Sequence, residues 1–185
     1  MTTEARASEA APEAPASFEE QFAQRLDQLP RGDRAILRRN AGRTLAESRG
    51  VMPIFFRIFR GLPAEEEIYF LVATLHATNR AGGTPGNFAA TMRALSRSAS
   101  GDDPVDRRMR LLLDATFDLL DGYKPGGGEL AFRLRQCTKL AGSRGVGVDW
   151  IQLIKDLRGW GHPDRYVQKR WARSYFGAPA RPEND

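Results

Sequence analysis

The sequence predicts an all-α protein laid out in two helical segments, and three observations predict it. Apolar residues recur at intervals of three and four through most of the chain, the spacing of one face of a helix. Start and stop signals flank those runs: Ser17 with Glu20, Pro63, Asn87 and Pro104 at starts, Gly50 and the glycines of 142–147 at stops. No stretch sustains the period-two alternation between turn signals that a half-buried strand needs. The 185 residues suffice for one domain or two small ones. At 41% apolar and 28% charged residues the chain has the means to bury an ordinary core.

Taken in order, residues 1–16 are Ala, Glu, Ser, Thr and Pro without apolar period and read as a disordered tail. Ser17 and Glu20 form a capping-box pattern ahead of Phe18, Phe22, Leu26 and Leu29, and Pro30 ends that helix. A second helix is expected over 33–48, with Ile36, Leu37, Ala41 and Leu45 inward and Gly50 as its stop. Residues 52–59 are a short aromatic segment in which Pro53 fits a first helical turn. Pro63 opens the next helix, where Glu65, Glu66 and Glu67 suit the positive end of the dipole and Ile68, Leu71, Val72 and Leu75 face the core.

Residues 79–86 read as a loop, and Asn87 caps a helix carrying Phe88, Met92 and Leu95. Periodicity disappears over 97–103, the expected linker between an N-terminal bundle at 17–96 and a C-terminal one at 104–176. Beyond it, Pro104 starts a helix lined by Met109, Leu112, Leu113, Phe117 and Leu120, and 124–128 reads as a flexible joint. Leu130, Leu134, Cys137 and Ala141 form the next stripe. Two tryptophan-bearing helices follow, around 148–160 and 167–176, with Trp150, Trp160 and Trp171 read as core, and 177–185 reads as a second tail.

Several function classes lack their chemistry. The longest apolar runs, 54–59 and 68–75, are far shorter than the roughly 20 residues that span a bilayer, so no membrane association is expected. The N-terminus has no basic region followed by an apolar core, which makes the cytoplasm the expected location. His76 and His162 have no Cys, Asp or Glu at metal-ligand spacing, and Cys137 is spaced as a core residue. The glycine-rich stretches at 82–86 and 126–128 lack the Lys and Ser/Thr of a phosphate-binding loop. Glu65 to Glu67 point in different directions on a helix and cannot share a substrate. A non-catalytic protein without cofactor or metal is expected.

Charge is the positive signal. The net +5 includes a tail of net −4 over residues 1–20, so the remaining 165 residues hold +9. Of 28 basic residues 24 are arginine, whose planar fork pairs bidentately with phosphate. GC-rich coding is one explanation of that ratio, but it does not explain the excess of positive charge. Arg34 with Arg38, and Arg39 with Arg43, lie one helical turn apart, giving a cationic face that repels itself without an anion nearby. Arg107, Arg108 and Arg110 crowd a helix start, where positive charge is unfavourable by a few tenths to about 1 kcal/mol. Pairing with Asp102, Asp103, Asp106 or Asp114 is one way to offset that; an external polyanion is the other. Arg133, Arg135, Arg158, Arg165, Lys169, Arg170 and Arg173 extend the basic surface. Aromatic residues are not interleaved among these arginines as a base-stacking platform requires.

The runs Gly32 to Arg39, Asp106 to Arg108 with Leu111 and Leu112, and above all Asp149, Trp150, Leu153, Asp156, Leu157, Trp160 with Trp171, Ala172, Arg173, Tyr175 and Phe176 resemble the CasB family, the small subunit of the type I-E CRISPR surveillance complex Cascade. The resemblance extends over roughly residues 18–176. It implies two small helical bundles joined by a short linker, pairing head-to-tail with a second copy, beside the backbone and large subunits of the complex. It further implies contacts to the guide RNA and target DNA heteroduplex and to the displaced strand that stabilise the R-loop in antiviral defence, without nuclease activity. By motif it points to Arg38, Arg39, Arg107, Arg108, Arg133 and Arg135 as nucleic-acid-binding, and by position to Arg34, Arg165, Lys169 and Arg170. The competing reading is a free-standing helical protein-interaction module with a solvated arginine surface.

Overall fold

The structure, a computed structural model, describes residues 16–83, 85–96, 103–116 and 128–177. The expected tails at 1–16 and 177–185, the linker at 97–103 and the joint at 124–128 therefore lie almost wholly outside the described residues, as do Phe117 and Leu120. All regular structure among the described residues is helical.

Ser17 opens α1 (Phe18–Asp27) with both halves of the capping box: its Oγ accepts from the Glu20 amide at 3.3 Å, and its own amide donates to the Glu20 carboxylate at 2.6 Å. The inward stripe follows, with Phe22 and Leu26 fully buried. Pro30 then stands directly before α2 (Arg31–Arg39). This helix is half the length expected from the apolar spacing. Asn40 donates its side-chain amide back to the Ile36 carbonyl at 2.9 Å, and Gly42 takes a φ of +79°, a left-handed turn that ends the helix. Ala41 and Leu45 nevertheless stay buried because the turn keeps them over the core. Glu67 holds the turn in place, accepting from the Leu45 amide with both carboxylate oxygens at 3.0 and 3.1 Å.

Short α3 (Met52–Ile58) carries Pro53 in its first turn, as expected, and a single 3₁₀ turn at Pro63–Glu65 leads into α4 (Glu66–His76). In place of one inward stripe, every residue of α4 from Ile68 to His76 is buried. A helix apolar on all sides belongs at the centre of a domain, and α4 packs on α2 and on two later helices. The glutamates at its start diverge as expected: Glu67 takes Leu45 and Glu65 turns toward the C-terminal segment.

α5 (Phe88–Leu95) is capped by Asn87, whose side chain accepts from Ala90 and donates to Ser174 Oγ at 2.8 Å. Asp103 caps α6 (Pro104–Asp114) by accepting from the Val105 amide at 2.8 Å. α7 (Gly128–Ser143) buries the stripe Leu130, Leu134, Cys137 and Ala141 to within 1%. α8 (Trp150–Arg158) and α9 (Tyr166–Phe176) are the tryptophan helices. Trp160 and Trp171 meet edge-to-face at 4.8 Å in the core, while Trp150 is partly buried. α5 packs along α9, α4 against α7 and α8, and α1 against α8, so buried side chains from before and after residue 100 form one continuous core.

Polar ties cross that core. Arg158, which the sequence places on the basic surface, is instead an internal clamp: its guanidinium pairs with Glu19 of α1, with Glu65 at 2.6 Å, and with the Tyr69 hydroxyl at 2.8 Å. Burial pushes the Glu19 carboxyl up, but its hydrogen bonds and the charge of Arg158 outweigh that and hold it below the ordinary carboxylate range. Asp156, fully buried, accepts from Gln152 at 2.7 Å and from the Trp171 indole and the Arg170 guanidinium of α9.

His76, buried at the end of α4, places Nε2 3.0 Å from Asp27 and its ring edge-on to Trp150. Burial lowers its pKa below the ordinary 6.5; Asp27 opposes this, while Arg80 and Arg34 add to it. Above 6.5 the imidazole is neutral both folded and unfolded. As pH falls through that value the unfolded chain takes up a proton that the folded chain resists, so stability declines on acidification. Thermal unfolding from pH 7.5 to 5.5 is expected to show this decline, and His76→Gln is expected to flatten it. Parallel profiles for the two proteins would contradict the assignment.

Candidate nucleic-acid interface

α6 and α9 run antiparallel: Arg165 reaches the Leu113 carbonyl at 2.6 Å at one end, and the Tyr175 hydroxyl donates to buried Asp106 at the other. α6 also packs on α7. Between these two helices opens a cleft of about 600 Å³ lined by Asp103, Pro104, Arg107, Arg108, Arg110, Leu111, Arg133 and Gln136. Met109 and Leu112 turn into the core and leave the three arginines of α6 on the solvent side, all exposed. A helix start crowded with cations thus faces a fourth guanidinium from the neighbouring helix.

The carboxylates of the same region are occupied elsewhere. Asp106 accepts from Tyr175, Asp114 stands 3.7 Å from Arg165, and Asp103 caps its helix and accepts from Ser96 Oγ at 3.0 Å. Asp102 lies outside the described residues. Among the described residues, no ion pair engages Arg107, Arg108 or Arg110; Arg108 donates to the Pro104 carbonyl at 3.2 Å. Arg133 pairs with Glu129 one turn earlier at 3.3 Å, but its Nε is buried without a hydrogen-bond partner. Cys137 lies beneath the same arginines. It is a core residue, and burial pushes its thiol up to about 12 despite the pull of Arg108 and Arg133.

Arg135 extends the basic surface toward α2. A methyl group built on Gly42 would lie 3.1 Å from Cδ of Arg135 and 3.6 Å from the Ala131 carbonyl, so the turn after α2 rests directly on α7. Arg38, Arg39 and Arg43 are exposed at that end of α2, and no ion pair engages them among the described residues. Arg34 is half-buried on the same helix, near His76.

The weaker sequence candidates divide. Lys169 is exposed on α9. Arg165, the N-cap of α9 at a φ of +50°, is committed to Leu113 and Asp114, and Arg170 to buried Asp156. Both tie helices together. The structure thus gathers Arg107, Arg108 and Arg133 around one cleft, sets Arg135 between that cleft and the end of α2, and gives Arg165 and Arg170 internal partners. Sequence reasoning left out Arg110, Gln136 and Leu111 as cleft residues. Arg110 was visible as the third cation of its run; Gln136 shows only as the residue one turn beyond Arg133.

No group of three or more His, Cys, Asp or Glu able to hold a metal occurs among the described residues, and no helix among them is long and apolar enough to cross a membrane. Comparisons with known proteins converge. A CRISPR-associated protein Cse2 of Thermus thermophilus is 39% identical over 119 residues, an alignment spanning 64% of this chain and 62% of that relative. A crystal structure of CasB from Thermus thermophilus superposes with a TM-score of 0.65 at 32% identity, covering 86% of this chain and 98% of that one. A chain of a structure described as a CRISPR RNA-guided surveillance complex gives 0.67 at 20% identity over 85% and 91% of the two chains, a likeness of fold. The family model described as CRISPR-associated protein Cse2 matches residues 33–176, and with that match spanning most of the sequence the chain belongs to the Cse2 family.

Proposed function

We propose that this protein is the non-catalytic small subunit of a type I-E RNA-guided surveillance complex, acting in the cytoplasm in antiviral defence. In that role it holds the backbones of the guide–target heteroduplex and of the displaced DNA strand, and so stabilises the R-loop. The observation that carries the reading is the gathering of Arg107, Arg108, Arg110 and Arg133 around one cleft, continued through Arg135 toward Arg38 and Arg39. Guide pairing reads the sequence in such a complex, so an accessory subunit needs only positively charged contacts to phosphate. Structural likeness to a chain of a surveillance complex supports membership in such an assembly. Exposed Met52 and Phe56, one turn apart on α3, and Leu62 supply apolar surface for neighbouring subunits or a second copy in a head-to-tail pair.

The test is DNA binding by the purified chain at two salt concentrations. The wild type is expected to bind single strands weakly, with Kd on the order of 10⁻⁴ to 10⁻⁶ M, and to lose affinity as salt rises. Replacing Arg107 and Arg108 by glutamine is expected to reduce the log–log salt slope by about 1.4, at about 0.7 per phosphate contact on a single strand. An unchanged slope removes those residues from the interface, and DNA cleavage with divalent metal contradicts the non-catalytic role. Binding to neither single-stranded nor duplex DNA favours the interaction-module reading.

A further inference from the structure

Two exposed phenylalanines stand among the arginines: Phe132 directly precedes Arg133 in sequence, and the fold brings Phe176 to Arg110. Phe132 is 46% exposed and Phe176 47%. The Arg133 guanidinium lies over the Phe132 ring at 5.7 Å from its centroid, and that of Arg110 over the Phe176 ring at 5.8 Å. Both arginines line the cleft between α6 and α7. The rings therefore flank the cleft's own cations, although one is carried by α7 and the other by the last turn of α9.

Neither ring serves the core. α7 buries Leu130, Leu134, Cys137 and Ala141, and Phe132 stands on the other side, in a row with exposed Arg135, Gln136 and Lys139 at three, four and seven residues further on. A half-exposed phenylalanine among cationic and polar residues adds less to folding than a core ring does. On α9 the inward positions are Val167, Trp171 and Tyr175, and Phe176 falls outside that stripe. A guanidinium against one face of an aromatic ring is a weakly favourable contact that restrains both groups. It leaves the cation beside the ring, in the arrangement in which proteins take a phosphate and its base together.

The geometry points to Phe132 and Phe176 as stacking platforms for unpaired bases, with the cleft taking single-stranded nucleic acid whose bases face the protein. The inference rests on the nucleic-acid reading above and deepens it. In a duplex the bases are stacked inside and offer these rings no face, whereas a strand separated from its complement offers one at every nucleotide. The arginines grip phosphate in either case, and the phenylalanines then discriminate between paired and unpaired strands.

The experiment compares three probes on the full-length chain by fluorescence anisotropy: an oligothymidine of about 20 nucleotides, an abasic sugar–phosphate strand of the same length, and the matching duplex. The oligothymidine is expected to bind about fivefold to a hundredfold more tightly than the abasic strand. Phe132→Ala with Phe176→Ala is expected to abolish that preference without changing the salt slope, and Phe132→Trp with Phe176→Trp to restore it. Equal binding of the oligothymidine and abasic strands by the wild type, with a normal salt slope, overturns the proposal and leaves the backbone-contact reading intact. No salt-dependent binding of any probe overturns the nucleic-acid reading itself.

Discussion

Asp156→Ala is expected to cost about 3 kcal/mol of stability and to lower the melting temperature by about 6–12 °C. Its carboxylate is fully buried, yet three donors converge on it: Gln152 from its own helix, and the Trp171 indole and Arg170 guanidinium from α9. Truncation leaves the indole N–H inside the core without an acceptor, which alone costs about 1–3 kcal/mol. Arg170 is about half exposed, at 47%, and can turn to water, so the loss falls at the low end of the range for broken buried pairs. Asp156→Asn keeps one oxygen for the indole but sets an NH2 group against the other donors, and is expected to fall between wild type and alanine. Thermal unfolding followed by circular dichroism checks the series. A shift smaller than about 2 °C for the alanine variant would mean that α8 and α9 are held by apolar packing alone.

Gly147→Ala is expected to destabilise the protein by about 4 kcal/mol. A Cβ there would lie 1.5 Å from the Gly82 carbonyl oxygen and 2.4 Å from its carbon, a collision of backbone with backbone that no side-chain rotation relieves. The two loops are stitched at this crossing. Asn79 donates to the Val146 carbonyl at 2.9 Å, and fully buried Thr91 donates to Gly147 itself at 3.0 Å. Separating the strands of the crossing breaks these bonds as well as the packing. Gly145, two residues earlier, is the control: nothing lies within 4 Å of its added Cβ, but its φ is +70°. Gly145→Ala is expected to cost only the left-handed strain, about 1 kcal/mol. Denaturant midpoints of the two variants distinguish crowding from dihedral strain, and equal losses would refute the steric account.

Much of the helical architecture was readable from local signals because those signals are physical. The Ser17–Glu20 box, Asn87, and prolines at first turns act within one turn of the chain, and the stripe from Leu130 to Ala141 reports burial directly. The overrun of the second helix has an equally plain cause. Ala41 and Leu45 keep an inward period through a turn that is no longer helical, and apolar spacing records burial without recording backbone geometry. The arginines show where local reading stops. Arg158 and Arg170 look like Arg38 and Arg39 in sequence. They differ because Glu19, 139 positions away, and Asp156, 14 away, fold against the former pair. Which cations remain available to a ligand is thus a tertiary property. Phe176 shows the same limit: its partner Arg110 lies 66 positions earlier and reaches the ring only because α6 packs on α9.

Gly42 has a consequence that reaches beyond its turn. Its left-handed φ of +79° and the 3.1 Å gap to Arg135 mean that a side chain at this position is both strained and crowded. The turn that follows Arg38 and Arg39 is consequently seated against the Arg135 side chain and the Ala131 carbonyl of α7, and a bulkier residue at position 42 would push the two helices apart. On the proposed reading, a polyanion would meet cations whose backbones are already held together before the encounter, so docking would give up little main-chain freedom on the protein's side.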